Sequence, residues 1–151
     1  MNAFELLKKD HKKVSDLFKQ LEDTTERAVK TREELFTKLK QELEIHARIE
    51  EQIFYPAIKE AEETREITLE AIEEHNVVKQ LLSELESTPV EDEVWTAKLT
   101  VLKENVEHHV EEEEGEMFKD AQKVLSAEQV EELGARMESA KQEQKSAVSG
   151  S

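Results

Sequence analysis

Two stretches of this chain are near-copies of each other, and that duplication narrows the available folds more than any other feature. Asp10-His11-x-x-Val14-x-x-Leu17-Phe18 is matched by Glu74-His75-x-x-Val78-x-x-Leu81-Leu82. His46-x-x-x-Glu50, followed by Phe54-Tyr55, is matched by His109-x-x-x-Glu113, followed by Met117-Phe118. The separations agree as well: 35 residues from His11 to His46 and 34 from His75 to His109. Two copies of a helical hairpin, each with one His on its first helix and a His/Glu pair on its second, pack into a four-helix bundle with pseudo-twofold symmetry. Six polar side chains then face one another in its middle.

The rest of the chain agrees with helices. Three Gly and two Pro in 151 residues leave few breakers, and Glu, Lys, Leu and Ala are strong helix formers. Helix 1 is expected from Ala3 to Glu22, apolar at Phe4, Leu7, Val14, Leu17, Phe18 and Leu21. Thr31 with Glu34 reads as a capping box opening helix 2, whose stripe is Leu35, Leu39, Leu43, Ile49, Ile53 and Ala57, with Pro56 kinking its last turns. The break before helix 3 falls near Glu63 or Thr64, and the stripe continues at Ile67, Ala71, Val78, Leu82 and Leu85. Thr88, Pro89 and Glu91 look like the clearest helix start in the chain, leading to Trp95, Leu99, Leu102, Val106, Val110 and Met117. Ser126 with Gln129 opens a fifth helix, apolar at Val130, Leu133 and Met137. The expected fold is all-α: an up-down four-helix bundle over residues 1–122, a further C-terminal helix over 123–145, and a flexible tail at 146–151.

A lone His on an apolar stripe is more often a hydrogen-bonded core residue than a ligand, and a lone i, i+4 His/Glu pair is usually a surface contact. Position changes that balance. At about 100° per residue, Glu50, Leu39, Ile53 and Ala57 lie within about 40° of His46, so the pair sits inside the stripe. A buried carboxylate needs compensating positive charge, no Lys or Arg occupies those stripes near the histidines, and bound cations are the simplest compensation. On helix 4 the apolar residues centre about 60° from His109 and about 160° from His108, which makes His109 the inward residue and His108 the solvent-facing one. In the run Glu111 to Glu114, only Glu113 follows His109 by one turn on the inward side; the others read as a solvated face.

Six ligands exceed the four of a structural zinc site, and imidazole with carboxylate and no sulfur suits iron, manganese or zinc. Two metals sharing both carboxylates would each receive two His nitrogens and two Glu oxygens. Positions remain open for an oxo or hydroxo bridge and for an outside molecule such as oxygen, peroxide or nitric oxide.

The net charge of -16 disfavours nucleic acid and anionic membrane surfaces as partners. The absence of Cys excludes disulfides and thiolate chemistry, and fits a reducing compartment. The N-terminus has no apolar signal region and no run approaches the ~20 residues of a membrane span, so a cytoplasmic monomer or weak homodimer is expected.

These residues resemble the hemerythrin-like HHE cation-binding domain family, whose pattern H…HxxxE…H…HxxxE is met by His11, His46, Glu50, His75, His109 and Glu113. The likeness covers roughly residues 1–120, and the stretches MNAFELLKKDH and EIHARIEEQIFYPA look closest to short bacterial members, including mycobacterial ones. The resemblance implies a centre of two iron ions, oxo- or hydroxo-bridged, and a function among oxygen binding or sensing, peroxide breakdown, nitric-oxide response and iron handling, in oxidative or nitrosative stress. Two departures stand out. Oxygen-carrying hemerythrins have HxxxH on the third helix, whereas Lys79 and Ala71 flank His75 at that spacing; and Lys119 stands where a proline usually follows the last motif. Tyr55, the only tyrosine, follows the first HxxxE: its phenolate could fill the vacant ligand position, or it packs as an apolar ring with its hydroxyl in water.

Overall fold

The computed structural model describes residues 1–149, with side chains described as far as residue 147. The elements are α1 (Ala3–Glu22), α2 (Val29–Ile49), a π-helical segment (Glu50–Phe54), α3 (Tyr55–Ile58), α4 (Glu62–Glu86), α5 (Glu93–Glu112), a second π-helical segment (Glu113–Met117), α6 (Phe118–Val124) and α7 (Ala127–Ser149). The π segments join α2 to α3 and α5 to α6 without a turn, so the chain forms four rods in two hairpins, plus α7 laid against α1 and α2. This is the expected all-α bundle with a C-terminal helix. The helix of α7 continues through Ser149, so the expected tail is helical over 146–149, and residues 150–151 lie outside the described residues.

Side-chain caps settle two starts. Asn2 and Glu5 form a reciprocal capping box at α1 (2.9 and 3.1 Å). Ser126 and Gln129 do the same at α7 (3.1 and 2.7 Å), as the sequence indicates. Two other expected starts are corrected. α2 begins at Val29, ahead of Thr31, with no side-chain cap at Ala28. Thr88, Pro89 and Glu91 lie in a turn, and α5 opens at Glu93 with Asp92 accepting from the Val94 N–H (2.8 Å). A buried arginine bears on the second shift. Arg32 is buried and donates to Thr24 Oγ1 (2.9 Å), to the Val90 carbonyl (2.8 Å) and to Thr96 Oγ1 (3.2 Å). The bond to its carbonyl holds Val90 in the turn, with its side chain buried.

The break after α3 falls at residues 59–61, just ahead of Glu63, where Ala61 is extended and Thr64 Oγ1 donates to the Ile58 carbonyl. The stripe on the second rod also differs from expectation. Ile53 is half-buried and Ala57 exposed, while Phe54, Tyr55 and Ile58 are buried. The cause is the π segment: the Tyr55 N–H bonds the Glu50 carbonyl, an i to i−5 bond that slips the register by one residue. Pro56 has no N–H to give to Gln52, which removes one bond that regular α-helix would otherwise gain. In the second copy the Phe118 N–H bonds the Glu113 carbonyl in the same way.

The buried apolar side chains fall into two clusters. One holds Ala3, Phe4, Leu7, Ile49, Phe54, Ile58, Met117, Phe118 and the α7 residues Val130, Leu133 and Met137. The other holds Val14, Phe18, Phe36, Leu39, Leu82, Trp95 and Leu102. Along each of the four rods the boundary between them falls where the histidines and glutamates of the repeat lie, so a polar layer divides the core into two dry ends.

Candidate metal centre

All six repeat residues are buried in that layer: Glu50 and Glu113 are 0% exposed, and His11, His46, His75 and His109 are 5–7%. Their inward atoms converge. Glu50 Oε1 lies 3.1 Å from the Nε2 of both His46 and His75. Glu113 Oε1 lies 3.1 Å from His11 Nε2, and its Oε2 lies 3.1 Å from His109 Nε2. Two groups with metal-ligand spacing result: His11, His46, Glu50 and Glu113; and Glu50, His75 and His109. Glu50 belongs to both. His108, whose side chain is 64% exposed, faces outward as the helix-face argument requires.

The outward nitrogen of each of these four histidines meets a carboxylate. His11 Nδ1 lies 2.6 Å from Glu114, His46 Nδ1 3.0 Å from Asp10, His75 Nδ1 2.8 Å from Glu51 and His109 Nδ1 2.8 Å from Glu74. A carboxylate on Nδ1 keeps the proton there and turns the Nε2 lone pair inward, the arrangement that a metal-binding imidazole needs. The sequence pattern assigned none of these four carboxylates to a ring, and Glu114, expected at a solvated face with Glu111 and Glu112, instead meets His11. The π segment opens at Glu113 and leaves Glu114 facing α1. The signal was present in the repeat itself: an acidic residue precedes each first-helix His, and a second Glu follows each HxxxE.

Four buried atoms of the layer have no hydrogen-bond partner: His11 Nε2, His46 Nε2, Glu50 Oε2 and Glu113 Oε1. They belong to the four residues of the first group. Orphaned buried polar atoms are costly, and a shared cation satisfies all four at once; the donor set therefore fits a metal.

The electrostatics carry the same demand for positive charge. Burial disfavours a charged His46, yet the charge of Glu50 and the hydrogen bond to Asp10 push it up to about 10. Burial likewise opposes charge on His109, and its bonds to Glu113, Glu50 and Glu74 carry it well above its ordinary value. Glu50 is held well below the usual carboxylate range, despite burial, chiefly by His46. Asp10 is lowered in spite of burial by His46 and Lys141. Protons and a cation compete for the same inward nitrogens.

Tyr55 enters this layer through the register slip. Burial and the Glu113 and Glu50 charges raise its phenol well above the ordinary value, and its hydroxyl donates to Glu113 Oε2 (2.9 Å). The oxygen is also 3.3 Å from the Nε2 of both His75 and His109. Of the two readings open for it, the apolar ring with a wet hydroxyl is excluded, since the residue is 1% exposed. Lys79, at the position that lacks a histidine, points outward and pairs with Glu51 at 3.2 Å.

A cavity of about 40 Å³ abuts all four imidazoles, walled chiefly by Val14, Leu43, Val78, Leu82 and Val106, with Glu44 and Lys79 also lining it. Its size is that of one or a few small molecules, and its apolar walls favour uncharged ones.

The chain matches the family described as "Hemerythrin HHE cation binding domain" over residues 2–121. Its fold is similar to the crystal structure of a hemerythrin HHE cation binding domain-containing protein from Mycobacterium kansasii, with TM-score 0.85 and 30% identity, covering 97% of this chain and 89% of that one. Uncharacterized protein Rv2633c of Mycobacterium tuberculosis is 33% identical over 91% of this chain and 83% of its own length. A protein of Nostoc sp. named DNA nickase is 27% identical over 93% of this chain, which spans 39% of that protein's length. No described helix is long and apolar enough to cross a membrane. With the six motif residues gathered in one layer and the match running over nearly the whole bundle, the chain belongs to the hemerythrin HHE cation-binding family.

Proposed function

We propose that this protein holds two iron ions and reacts with or binds a small uncharged molecule: hydrogen peroxide, oxygen or nitric oxide, in a cytoplasmic oxidative or nitrosative stress response. His11, His46, Glu50 and Glu113 would hold one ion; His75, His109 and Glu50, with Glu113 and Tyr55 adjacent, would hold the other. Nitrogen and oxygen donors without sulfur admit manganese and zinc as well, and iron is the redox-active member of that set. Bound iron would supply Lewis acidity and electrons to the incoming molecule.

The observation that carries this reading is the apolar cavity whose floor is all four imidazoles. Its valine and leucine walls disfavour charged species there. Glu51, Glu74, Glu114 and Asp10 orient the rings, and Tyr55 holds a proton at Oη against Glu113. The nickase name attaches to a protein of which this chain spans 39%, and a net charge of -16 opposes approach to a phosphodiester backbone.

Metal analysis and absorption spectra of freshly purified protein, before and after peroxide or nitric oxide, test the proposal. Two irons per chain and a spectrum altered by either ligand, with oxygen evolved from peroxide, are expected. Protein without bound metal, or a spectrum indifferent to peroxide, oxygen and nitric oxide, overturns it. One observation favours a second reading, a module that senses or stores without turnover: Tyr55 occupies the space beside His75 and His109. Saturable binding with no peroxide consumed would select that reading.

A further inference from the structure

The family match ends at residue 121, and α7 lies beyond it and outside the sequence repeat. Yet α7 is fastened to α1 in a fixed register. A Cβ placed on Gly134 would lie 2.4 Å from the Met1 carbonyl oxygen and 2.8 Å from the Ala3 nitrogen, so the two backbones touch there, which only glycine permits. Val130, Leu133 and Met137 bury in the same cluster as Ala3, Phe4 and Leu7. The helices run parallel, and two turns past Gly134 and Ala3, Lys141 meets Asp10.

The resulting chain of contacts leads inward. Lys141 Nζ donates to Asp10 Oδ1, and Asp10 Oδ2 accepts from His46 Nδ1 at 3.0 Å. The side chains of Lys141, Asp10 and His46 are 13%, 3% and 9% exposed. The matching residue of the second repeat, Glu74, has a side chain 28% exposed, with its second oxygen 3.9 Å from the exposed His108 ring, where water can solvate it. Asp10, with its side chain 3% exposed beneath Lys141, has far less.

We propose that Lys141 is a positioning residue for the cation held by His11 and His46: through Asp10 it locks the His46 ring with Nε2 facing the interior. The inference rests on the two-cation reading above. Without the ammonium, Asp10 keeps a buried carboxylate oxygen with no partner. It relieves that cost by swinging into the solvent cleft between α1 and α7, which borders Asp10, Lys13, Glu138 and Lys141. His46 then loses its Nδ1 partner, and loss of such a partner lowers metal affinity by roughly 10–100-fold.

The test compares release of iron to a chelator from full-length wild type, Lys141→Met, Lys141→Arg and Lys145→Met. Wild type is expected to release both ions slowly. Lys141→Met should release one of the two faster by roughly 10–100-fold while the other stays slow, with Lys141→Arg restoring retention. Lys145→Met makes the same charge change on the same helix, 4.0 Å from Glu42, and should match wild type. Removing a positive charge near a cation site strengthens binding through the field alone, so weaker retention isolates positioning from charge. Gly134→Ala leaves the charge unaltered, lifts α7 from α1, and should free the same single ion. Wild-type release from Lys141→Met or from Gly134→Ala, or equal acceleration of both ions, overturns the inference and leaves the two-cation reading standing. A wild type that takes up fewer than two ions overturns that reading and this inference with it.

Discussion

The His11/His46 half of the centre and the His75/His109 half are built from the same repeat, but they end in different surroundings. In both, an acidic residue preceding the first His bonds the Nδ1 of the second-helix His: Asp10 to His46, Glu74 to His109. In both, the Glu after HxxxE bonds the other ring: Glu114 to His11, Glu51 to His75. Around this shared frame the first half is covered by α7, with Asp10 sealed under Lys141. The second half keeps Glu74 at the surface and receives the Tyr55 hydroxyl from inside. Duplication therefore reproduced the donors and their orienting carboxylates, while α7 and Tyr55, each present once, make the two positions inequivalent.

The largest expected effect erases the comparison. Glu50 Oε1 lies 3.1 Å from a histidine of each half, so Glu50→Gln, which preserves shape and removes charge, should weaken both ions on the order of 100-fold or more. Metal titration of this variant should detect no uptake at micromolar concentrations; one ion retained at wild-type affinity would show that the halves do not share the carboxylate. Next comes separation of the halves. His46→Ala and His109→Ala should each lose one ion and keep the other, weakened on the order of 10-fold, whereas His108→Ala keeps both. Metal content per chain reads this directly, and equal losses from His108→Ala and His109→Ala would discredit the assignment of helix faces.

The six inward-facing residues were legible because they are duplicated, and duplication filtered them from the surrounding charge. His108 and His109 are adjacent in a glutamate-rich stretch, yet only one has a partner in the first copy and only one lies on the apolar face. The orienting carboxylates carried the same signal in weaker form, since Asp10 pairs with Glu74 and Glu51 with Glu114; charge runs usually belong to solvent, and that general rule obscured them. Three things depended on distant contacts instead. The start of α5 moved because Arg32, far away in sequence, holds the Val90 carbonyl. Phe54, Tyr55 and Ile58 replaced Ile53 and Ala57 on the buried face because a π segment slips the register, and helical periodicity assumes that none exists. Lys141 reaches Asp10 across 131 residues, through a backbone contact at Gly134 that no local pattern announces.

A pH series tests whether protons stand in for cations at the rings. His46 rises from 6.5 to about 10 in the folded chain, so its contribution to the stability of metal-free protein is fully present below pH 6.5 and is lost as pH climbs through about 10. Glu50, held low, gives the opposite limb: its contribution is present above the ordinary carboxylate range and fades as acid protonates it. Metal-free protein should melt progressively earlier from pH 7 to pH 10, while the metal-loaded form should change less because the cation replaces the protons. Parallel melting curves for the two forms would mean that the cation does not compete with those protons.

The smallest and most selective effect lies at Tyr55. Its counterpart in the second copy is Phe118, buried in the aromatic group with Phe4 and Phe54, so Tyr55→Phe makes the two copies alike at this position. The ring stays in place and one hydroxyl disappears, with its bond to Glu113 (2.9 Å) and its approach to His75 and His109. A hydrogen bond to a charged group contributes about 1.5–3 kcal/mol. That loss is offset in part because the phenol no longer competes with a cation for Glu113 Oε2. Metal content should therefore remain at the wild-type value, while the spectrum and ligand response of the His75/His109 ion change and those of its neighbour do not. If both ions shift equally, Tyr55 acts on Glu113 and through it on the whole centre; if neither shifts, the second half is distinguished by Glu74's exposure alone, and the phenol is a packing residue whose hydroxyl happens to be satisfied.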